Sequence, residues 1–145
     1  MTDSCVFCRI IGGDLDGAVV FEDDISLAVL DHRPLFPGHS LLLPRNHYET
    51  LADLPEAKIG QFFSNAQLLA KAVELALSAE GSFVALNNRV SQSVPHLHVH
   101  IVPRRRKDGL KGFFWPRNRY KDDEHIKKTQ AAIRKAISEL EKLKS

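Results

Sequence analysis

Three histidines alternate with aliphatic residues in one short segment of the chain. His96, His98 and His100 are each separated by a single aliphatic residue. In an extended strand, side chains at alternate positions share a face and lie about 7 Å apart. The pattern therefore predicts a strand over residues 96–102, with its aliphatic face in the core and three imidazoles on the opposite face.

Three interpretations of this histidine face compete. The segment could be a polar edge strand in which histidines alternate without a chemical role. It could be a metal site, because histidines on one strand face can bind zinc. It could also be a phosphate-handling site, because neutral imidazole is a nucleophile and a neighbouring imidazolium neutralises charge on phosphoryl oxygens. The spacing alone does not separate the last two interpretations.

The two cysteines form a second chemical candidate. Cys5 and Cys8 are separated by two residues near the start of the sequence. In a reducing compartment a stable disulfide is not expected, which leaves a metal site, a redox pair or two ordinary thiols. The spacing suits half of a zinc site, because both thiolates can reach one ion.

The elements that must position these residues are several strands around one long helix. Apolar residues recur at helical spacing from Ile59 to Leu77, and Pro55 and Gly81 are expected to bound that helix. The fold class predicted is α+β, a mostly antiparallel sheet packed on one long helix, with a short N-terminal and a longer C-terminal helix. Its other elements are a helix over 6–11, strands over 19–21, 26–31, 40–44 and 82–86, and a final helix capped by Asp122 or Asp123.

Composition limits the classes of function. The chain has 145 residues, of which 43% are hydrophobic, and a net charge of +2, so one globular domain over residues 1–145 is expected. This charge is too small to indicate a nucleic-acid partner. With no long apolar run and no visible secretory signal, we expect no membrane association and a cytoplasmic location.

The histidine segment resembles the signature of the histidine triad, or HIT, family. Residues 95–104 read PHLHVHIVPR, three histidines that alternate with apolar residues and precede two more. The resemblance implies a HIT-like core over about 5–104, a C-terminal extension over 105–145 and a homodimer. Further segments resemble bacterial members of the family, at 5–11, 21–23, 37–41, 44–47 and 92–94.

For the histidines, the resemblance implies a nucleotidyl hydrolase or transferase. The nucleophile would be His98, which attacks an α-phosphorus to form a nucleotidyl-histidine that water then cleaves. His100 would hydrogen-bond a phosphate oxygen, His39 would orient the His98 ring, and His96 would complete the triad. The substrates implied are nucleoside phosphoramidates, adenylates or dinucleoside polyphosphates.

The same resemblance assigns nucleotide-binding residues. Asp31 would hold the ribose hydroxyls of a purine nucleotide or conjugate, together with the phosphate contacts of His98 and His100. Gln92 and Ser93 would contact the phosphate and the leaving group, and Asn87 would line the same cleft. The loop 87–91 lacks the glycines found in many family members, which leaves the leaving-group contacts open.

The resemblance also implies one cofactor. Cys5, Cys8, His47 and His96 match the tetrahedral zinc set of bacterial members, which is structural because it leaves no open position. No organic cofactor is expected.

Several alternatives stay open at this point. The basic run 104–107 is either a solvated face or a subsite for extra phosphates or an acidic leaving group. A subsite for extra phosphates would favour dinucleoside polyphosphates. Trp115 could lie in the core, anchor an interface or stack on a base, and the core or an interface is favoured. Two other classes of function remain: a purine-nucleotide-binding module without turnover, and a metal hydrolase with zinc on His96, His98 and His100.

Overall fold

The computed structural model describes residues 4–110 and 117–144. Contacts within the chain define two compact units, Met1–Asp108 and Gly109–Ser145. The assignment of the whole chain to one domain stays a prediction, and Trp115 lies outside the described residues. Within the described parts, no helix has both the length and the apolar content needed to cross a membrane.

The first unit is an antiparallel sheet with helices, which confirms the predicted α+β class. Its strands lie in the order β1-β2-β3-β5-β4, so β1 and β4 form the two edges. The strands are β1 Val19–Glu22, β2 Ser26–Leu30, β3 Ser40–Pro44, β4 Gly81–Ala85 and β5 Val99–Arg104. The helices are α1 Val6–Ile11 and α2 Glu56–Leu77, with a 3-10 turn at Leu51–Asp53.

The central strand β3 separates two apolar clusters. All of its residues are buried, as expected for a continuous apolar run covered on both faces. Leu42 lies in the cluster formed with Phe62 of α2, whereas Leu41 lies in the cluster formed with Phe7 of α1. The long helix therefore covers one face of the sheet, and the short N-terminal helix covers part of the other.

The long helix ends earlier than the sequence predicts. It stops at Leu77, and Ser78 adopts a left-handed conformation with φ of 51° that turns the chain. The backbone N–H at this cap is shared between the carbonyl oxygens of Glu74 and Leu75. Gly81, predicted to terminate the helix, is instead the first residue of β4 and pairs with Arg104.

The histidine strand begins later than predicted. β5 starts at Val99, so His96 and His98 precede the ladder and only His100 lies within it. The backbone before β5 forms a hydrogen bond outside the strand ladder: the Leu97 N–H donates to the Tyr48 carbonyl at 2.6 Å. The side chains of this segment still alternate between the two faces of the sheet, since Leu97 and Val99 both belong to the apolar cluster under α2.

The second unit contains α3, Asp123–Lys144. Asp122 caps it, because its Oδ1 accepts the His125 N–H at 2.8 Å. The cap residue, Asp122, is therefore one of the two cap positions that the sequence predicted.

Candidate active site and metal centre

Two thiols and two imidazoles converge beside α1. Cys5 caps this helix, Cys8 lies within it, His47 follows β3 and His96 precedes β5. All four ligand atoms lie within 4.8 Å of one another. The Nδ1 atoms of the two histidines are 3.2 Å apart, and the His96 Nδ1 lies 3.5 Å from each Sγ. A tetrahedral zinc ion requires about 3.3 Å between two nitrogens and about 3.5 Å between nitrogen and sulfur. The residues predicted as metal ligands thus fit the ion.

The protonation of His96 already suits a bound cation, whereas the protonation of Cys8 does not. The Nε2 of His96 donates to the Pro44 carbonyl at 2.9 Å, which leaves the Nδ1 lone pair facing the thiols. Burial, with His47 and His98 nearby, lowers the pKa of His96 to about 4, so this ring is neutral. Burial and the neighbouring Cys5 raise the pKa of the Cys8 thiol to about 11. A bound dication would reverse that last effect, because coordination deprotonates a thiol.

The ring of His98 is oriented by a hydrogen bond at Nδ1, while Nε2 takes no part in that bond. Its Nδ1 lies 2.7 Å from the His96 carbonyl oxygen, so Nδ1 carries the proton and Nε2 carries the lone pair. His98 is 4% exposed, and its ring contacts the rings of Phe7 and His100, with ring centroids 5.1 and 4.9 Å away. This arrangement orients the imidazole ring of His98.

His39 and His100 form a directed pair beside it. The Leu35 N–H donates to His39 Nδ1 at 3.1 Å, so the His39 proton lies on Nε2 and is donated to His100 Nδ1 at 3.0 Å. His100 must then carry its own proton on Nε2. Burial, followed by the neighbouring His98 and His39, lowers the pKa of His100 to about 4. The pair is therefore neutral at pH 7 and leaves one N–H donor available.

The contact of His39 differs from the prediction. His39 was expected to orient His98, but its Nε2 bonds His100 instead. The register explains this, because Leu41 lies opposite His100 in the β3–β5 ladder, and alternate residues 39 and 41 share a face. His98 is oriented by the backbone carbonyl of His96.

Asp31 lies next to this pair. One of its carboxylate oxygens accepts the Arg33 N–H at 2.9 Å, and the other is 3.7 Å from His39 Nε2. Asp31, His39 and His100 have the residue types of a metal site and lie within 4.8 Å of one another. However, a His39 nitrogen that already carries the proton cannot ligate a metal. The geometry favours a hydrogen-bonded chain over a metal site here.

The structure does not gather the three histidines of the signature around one ion. The nitrogens of His96 face the Pro44 carbonyl and the thiol cluster. Of the three signature histidines, His98 and His100 line the smaller cavity, whereas His96 does not. The interpretation as a zinc hydrolase held by His96, His98 and His100 is therefore wrong.

A cleft adjoins the His98 and His100 rings. A cavity of about 150 Å³ is lined by both rings together with Ser93 and Asp31. It shares a wall with a larger cavity of about 830 Å³. The residues common to both cavities are mostly aliphatic, namely Val6, Ile10, Val29, Leu30, Asp31 and His32. Such walls suit a flat apolar ring, with a carboxylate placed for hydroxyl groups.

Two residues predicted to bind nucleotide, Gln92 and Asn87, form hydrogen bonds to backbone groups of the protein, and their contact with nucleotide stays a prediction. The Gln92 side chain donates to the Glu49 carbonyl at 2.6 Å and accepts the Arg89 N–H at 2.8 Å. Asn87 donates to the Ser91 carbonyl at 3.2 Å. Neither Gln92 nor Asn87 lines either of the two cavities, whereas Ser93 lines the smaller one. Of these three, only Ser93 lies beside the histidines.

The basic run is bonded within its own chain. Arg104 forms two hydrogen bonds with Asp108, at 2.7 and 3.1 Å, and Arg106 lies 2.7 Å from a carboxylate oxygen of Glu80. Arg105 donates to the carbonyl at the end of α2. These contacts tie the end of β5 to the connection between α2 and β4.

Sequence reasoning missed the contribution of α1 to the cleft. Val6 and Ile10 line both cavities, and Phe7 lines the smaller one. His32, next to Asp31, was also missed. The sequence did contain a pattern that indicates this contribution. Val6, Phe7 and Ile10 have the spacing of an apolar helix face and lie next to two predicted metal ligands.

Comparisons with known proteins place the chain in one family. The HIT domain family model matches residues 13–107. The adenylylsulfatase HINT3 of Arabidopsis thaliana is 36% identical over 112 residues, which cover 76% of this chain and 57% of that protein. The adenosine 5′-monophosphoramidase hnt1 of Schizosaccharomyces pombe is 34% identical over 115 residues, 78% of this chain and 84% of that protein. The chain thus spans little more than half the length of the plant relative.

Solved structures are similar over nearly the whole chain. A HIT family protein from Bacillus subtilis has a TM-score of 0.83 and 32% identity, covering 92% of this chain and 96% of that chain. A zinc-bound histidine triad family protein from Mycobacterium smegmatis has a TM-score of 0.72 and 34% identity, covering 95% and 99% respectively.

Proposed function

The chain belongs to the HIT domain family, and on that premise we propose that it hydrolyses purine nucleotide conjugates through nucleophilic attack by His98 on the α-phosphorus. The observation that carries the proposal is the hydrogen bond from His98 Nδ1 to the His96 carbonyl at 2.7 Å. This bond leaves the Nε2 lone pair available for phosphorus.

The roles of the neighbouring residues follow from their hydrogen bonds. The nucleoside lies in the aliphatic cleft, with Asp31 on the ribose hydroxyls. His98 Nε2 forms a bond to phosphorus while the bond from phosphorus to the leaving group breaks. The leaving group departs with the electron pair: sulfate leaves as the anion, and an amine leaves neutral after taking up a proton from solvent. The His100 N–H, held by His39, donates to a phosphoryl oxygen as charge develops. Water then cleaves the phosphorus–nitrogen bond and restores His98.

The preferred substrates carry a nucleoside monophosphate on a small leaving group. The two named relatives are an adenylylsulfatase and an adenosine monophosphoramidase, which supports an adenylyl group linked to sulfate or to nitrogen. A dinucleoside polyphosphate would need cations for its additional phosphates. Arg104 and Arg106 are already paired with Asp108 and Glu80, so the basic run does not favour that substrate.

A zinc ion bound by Cys5, Cys8, His47 and His96 is part of the proposal. The spacing of the four ligand atoms and the zinc-bound mycobacterial relative both support it. When bound, the ion supplies a structural cross-link between the N-terminal segment and the segment that carries His98.

We further propose that the protein acts in the cytoplasm as a homodimer whose single domain spans residues 1–145. Among residues 4–110 and 117–144, β4 is an edge strand of the sheet, which supports the dimer because an exposed edge is a template for a second strand. Val84 of this strand is 46% exposed, and Leu75 of α2 is 85% exposed. Sedimentation equilibrium tests it, and a monomer at micromolar concentration would contradict it.

One kinetic comparison tests the proposed activity. Adenosine phosphoramidate, adenosine 5′-phosphosulfate and diadenosine tetraphosphate are each incubated with the wild type and with His98→Ala. Turnover of the first two substrates by the wild type alone is the expected result. Equal, near-zero rates for both proteins, combined with tight binding of AMP, would instead favour a binding module without catalysis.

A further inference from the structure

The ring of Phe7 contacts both the metal centre and the proposed nucleophile. Phe7 lies on α1 between the two thiols and is 7% exposed. Its ring centroid is 5.8 Å from that of His96 and 5.1 Å from that of His98. Both pairs have edge-to-face geometry, with interplanar angles of 90° and 67°. We propose that Phe7 is a positioning residue that holds the His98 ring for attack and couples it to the Cys–His centre, an inference that rests on the proposed function.

The hydrogen bond of His98 does not by itself fix the ring. It anchors Nδ1 at 2.7 Å from the His96 carbonyl, but the ring can still pivot about that bond and displace Nε2. The ring centroid of His100 lies 4.9 Å from that of His98. The ring of Phe7 supplies a second aromatic contact to His98. Such edge-to-face pairs contribute about 0.5–1.5 kcal/mol each. Together with the hydrogen bond, these two contacts restrict the orientation of the His98 ring.

The position of Phe7 depends in turn on its neighbours in the chain. A helix of six residues has little intrinsic stability in water, so α1 must be held by side chains. Cys5 and Cys8 direct both of their thiols to the centre, and they flank Phe7 on the same short helix. Apolar contacts with Leu41 and Val29 complete the anchor. Metal bound by the thiols therefore restrains the ring that contacts His98.

A matched pair of variants separates positioning from stability. Phe7→Leu and Ile11→Ala remove the same number of side-chain carbons from α1, but Ile11 lines neither cavity. A misplacement of 1 Å costs about a hundredfold in rate, so a partial loss of restraint in Phe7→Leu should lower kcat about tenfold. KM should change less than threefold. Ile11→Ala should keep both constants within about twofold of the wild type.

A spectroscopic readout tests the same point without turnover. In histidine-¹⁵N-labelled protein, the His98 Nδ1–H proton should exchange with solvent at least about tenfold faster in Phe7→Leu than in the wild type or Ile11→Ala, as expected when a restraint of about 1.4 kcal/mol is lost. A Phe7→Met variant, with similar volume but no ring, should behave as Phe7→Leu does. If the wild type lacks turnover altogether, the proposed function fails while this measurement still decides the role of Phe7.

The coupling to the Cys–His centre is tested by a double-mutant cycle. Cys8→Ser should accelerate exchange of the His98 proton in the wild-type background and have little further effect when Phe7→Leu is present. Additive effects would overturn the coupling. Unchanged kcat and unchanged proton exchange in both Phe7 variants would overturn the positioning role, and would leave Phe7 as part of the cleft wall.

Discussion

His96 and His98 lie two residues apart in the sequence and use opposite ring nitrogens to donate a hydrogen bond to a backbone carbonyl. The His96 ring donates from Nε2 to the Pro44 carbonyl and turns its Nδ1 lone pair to the thiols. The His98 ring donates from Nδ1 to the His96 carbonyl and keeps its Nε2 lone pair. The hydrogen bond at the second nitrogen fixes which lone pair is available. One signature histidine is thereby suited to a metal and the next to phosphorus.

The first prediction concerns the covalent intermediate. Quenched reactions with adenosine phosphoramidate should contain protein heavier by one adenylyl group, because His98 Nε2 forms a bond to phosphorus. His98→Ala should lack this species and lose more than about a thousandfold in turnover. Intact-protein mass spectrometry measures both samples. An adduct that persists in His98→Ala would assign the nucleophile to another residue.

A second prediction concerns metal content. Purified wild type and His98→Ala should each contain about one zinc per chain, whereas Cys8→Ser should contain none, because it lacks one of four ligands. Loss of the cross-link should lower the thermal midpoint of Cys8→Ser by about 5–10 °C, equivalent to roughly 2 kcal/mol. Elemental analysis and calorimetry check this. Zinc in Cys8→Ser at the wild-type level would remove Cys8 from the site.

Asp31 provides a third prediction, on ribose recognition. Losing one charged hydrogen bond costs about 1.5 kcal/mol, so Asp31→Asn should raise KM for adenosine phosphoramidate about tenfold. The wild type should discriminate against the 2′-deoxy analogue, and the variant should discriminate much less. Asp14→Asn, which changes a carboxylate outside both cavities, is the control. Full 2′-deoxy discrimination in Asp31→Asn would show that another group binds the ribose.

The dependence of stability on pH gives a fourth prediction. Burial lowers the pKa of His100 to about 4 from 6.5, so between these values the unfolded chain binds more protons than the folded protein. The free energy of unfolding should therefore fall as pH drops from 6.5 towards 4. His100→Gln should weaken this dependence, whereas His125→Gln, at an exposed histidine, should not. Urea titrations at pH 7 and pH 5 measure the difference, and equal pH dependence in all three proteins would contradict it.

The fifth prediction concerns the basic run. Because Arg106 is paired with Glu80, Arg106→Ala should leave KM within about twofold for both adenosine phosphoramidate and diadenosine tetraphosphate. Steady-state kinetics on the two substrates provide the comparison. A selective rise of KM for the tetraphosphate would restore this run as a subsite for extra phosphates.

Much of the fold follows from local patterns. The alternation of aliphatic residues with histidines places Leu97 and Val99 in the core and leaves the imidazoles on the other face, as the structure has it. The bounds of α1 and of β3 agree with those predicted from apolar runs and breakers. The end of α2 does not, because Ser78 supplies the left-handed turn usually made by glycine.

Residue types and spacing by themselves predicted the fold class and a face of histidines, and the resemblance of the sequence to the HIT family supplied the role of His98 and the set Cys5, Cys8, His47 and His96. Only the tertiary structure decided which nitrogen of each imidazole is available, that His39 bonds His100, and that Gln92 braces a loop. The reason is physical: spacing along a strand fixes the face on which a side chain lies. Its hydrogen-bond partners come from segments distant in sequence, which become neighbours only when the chain folds.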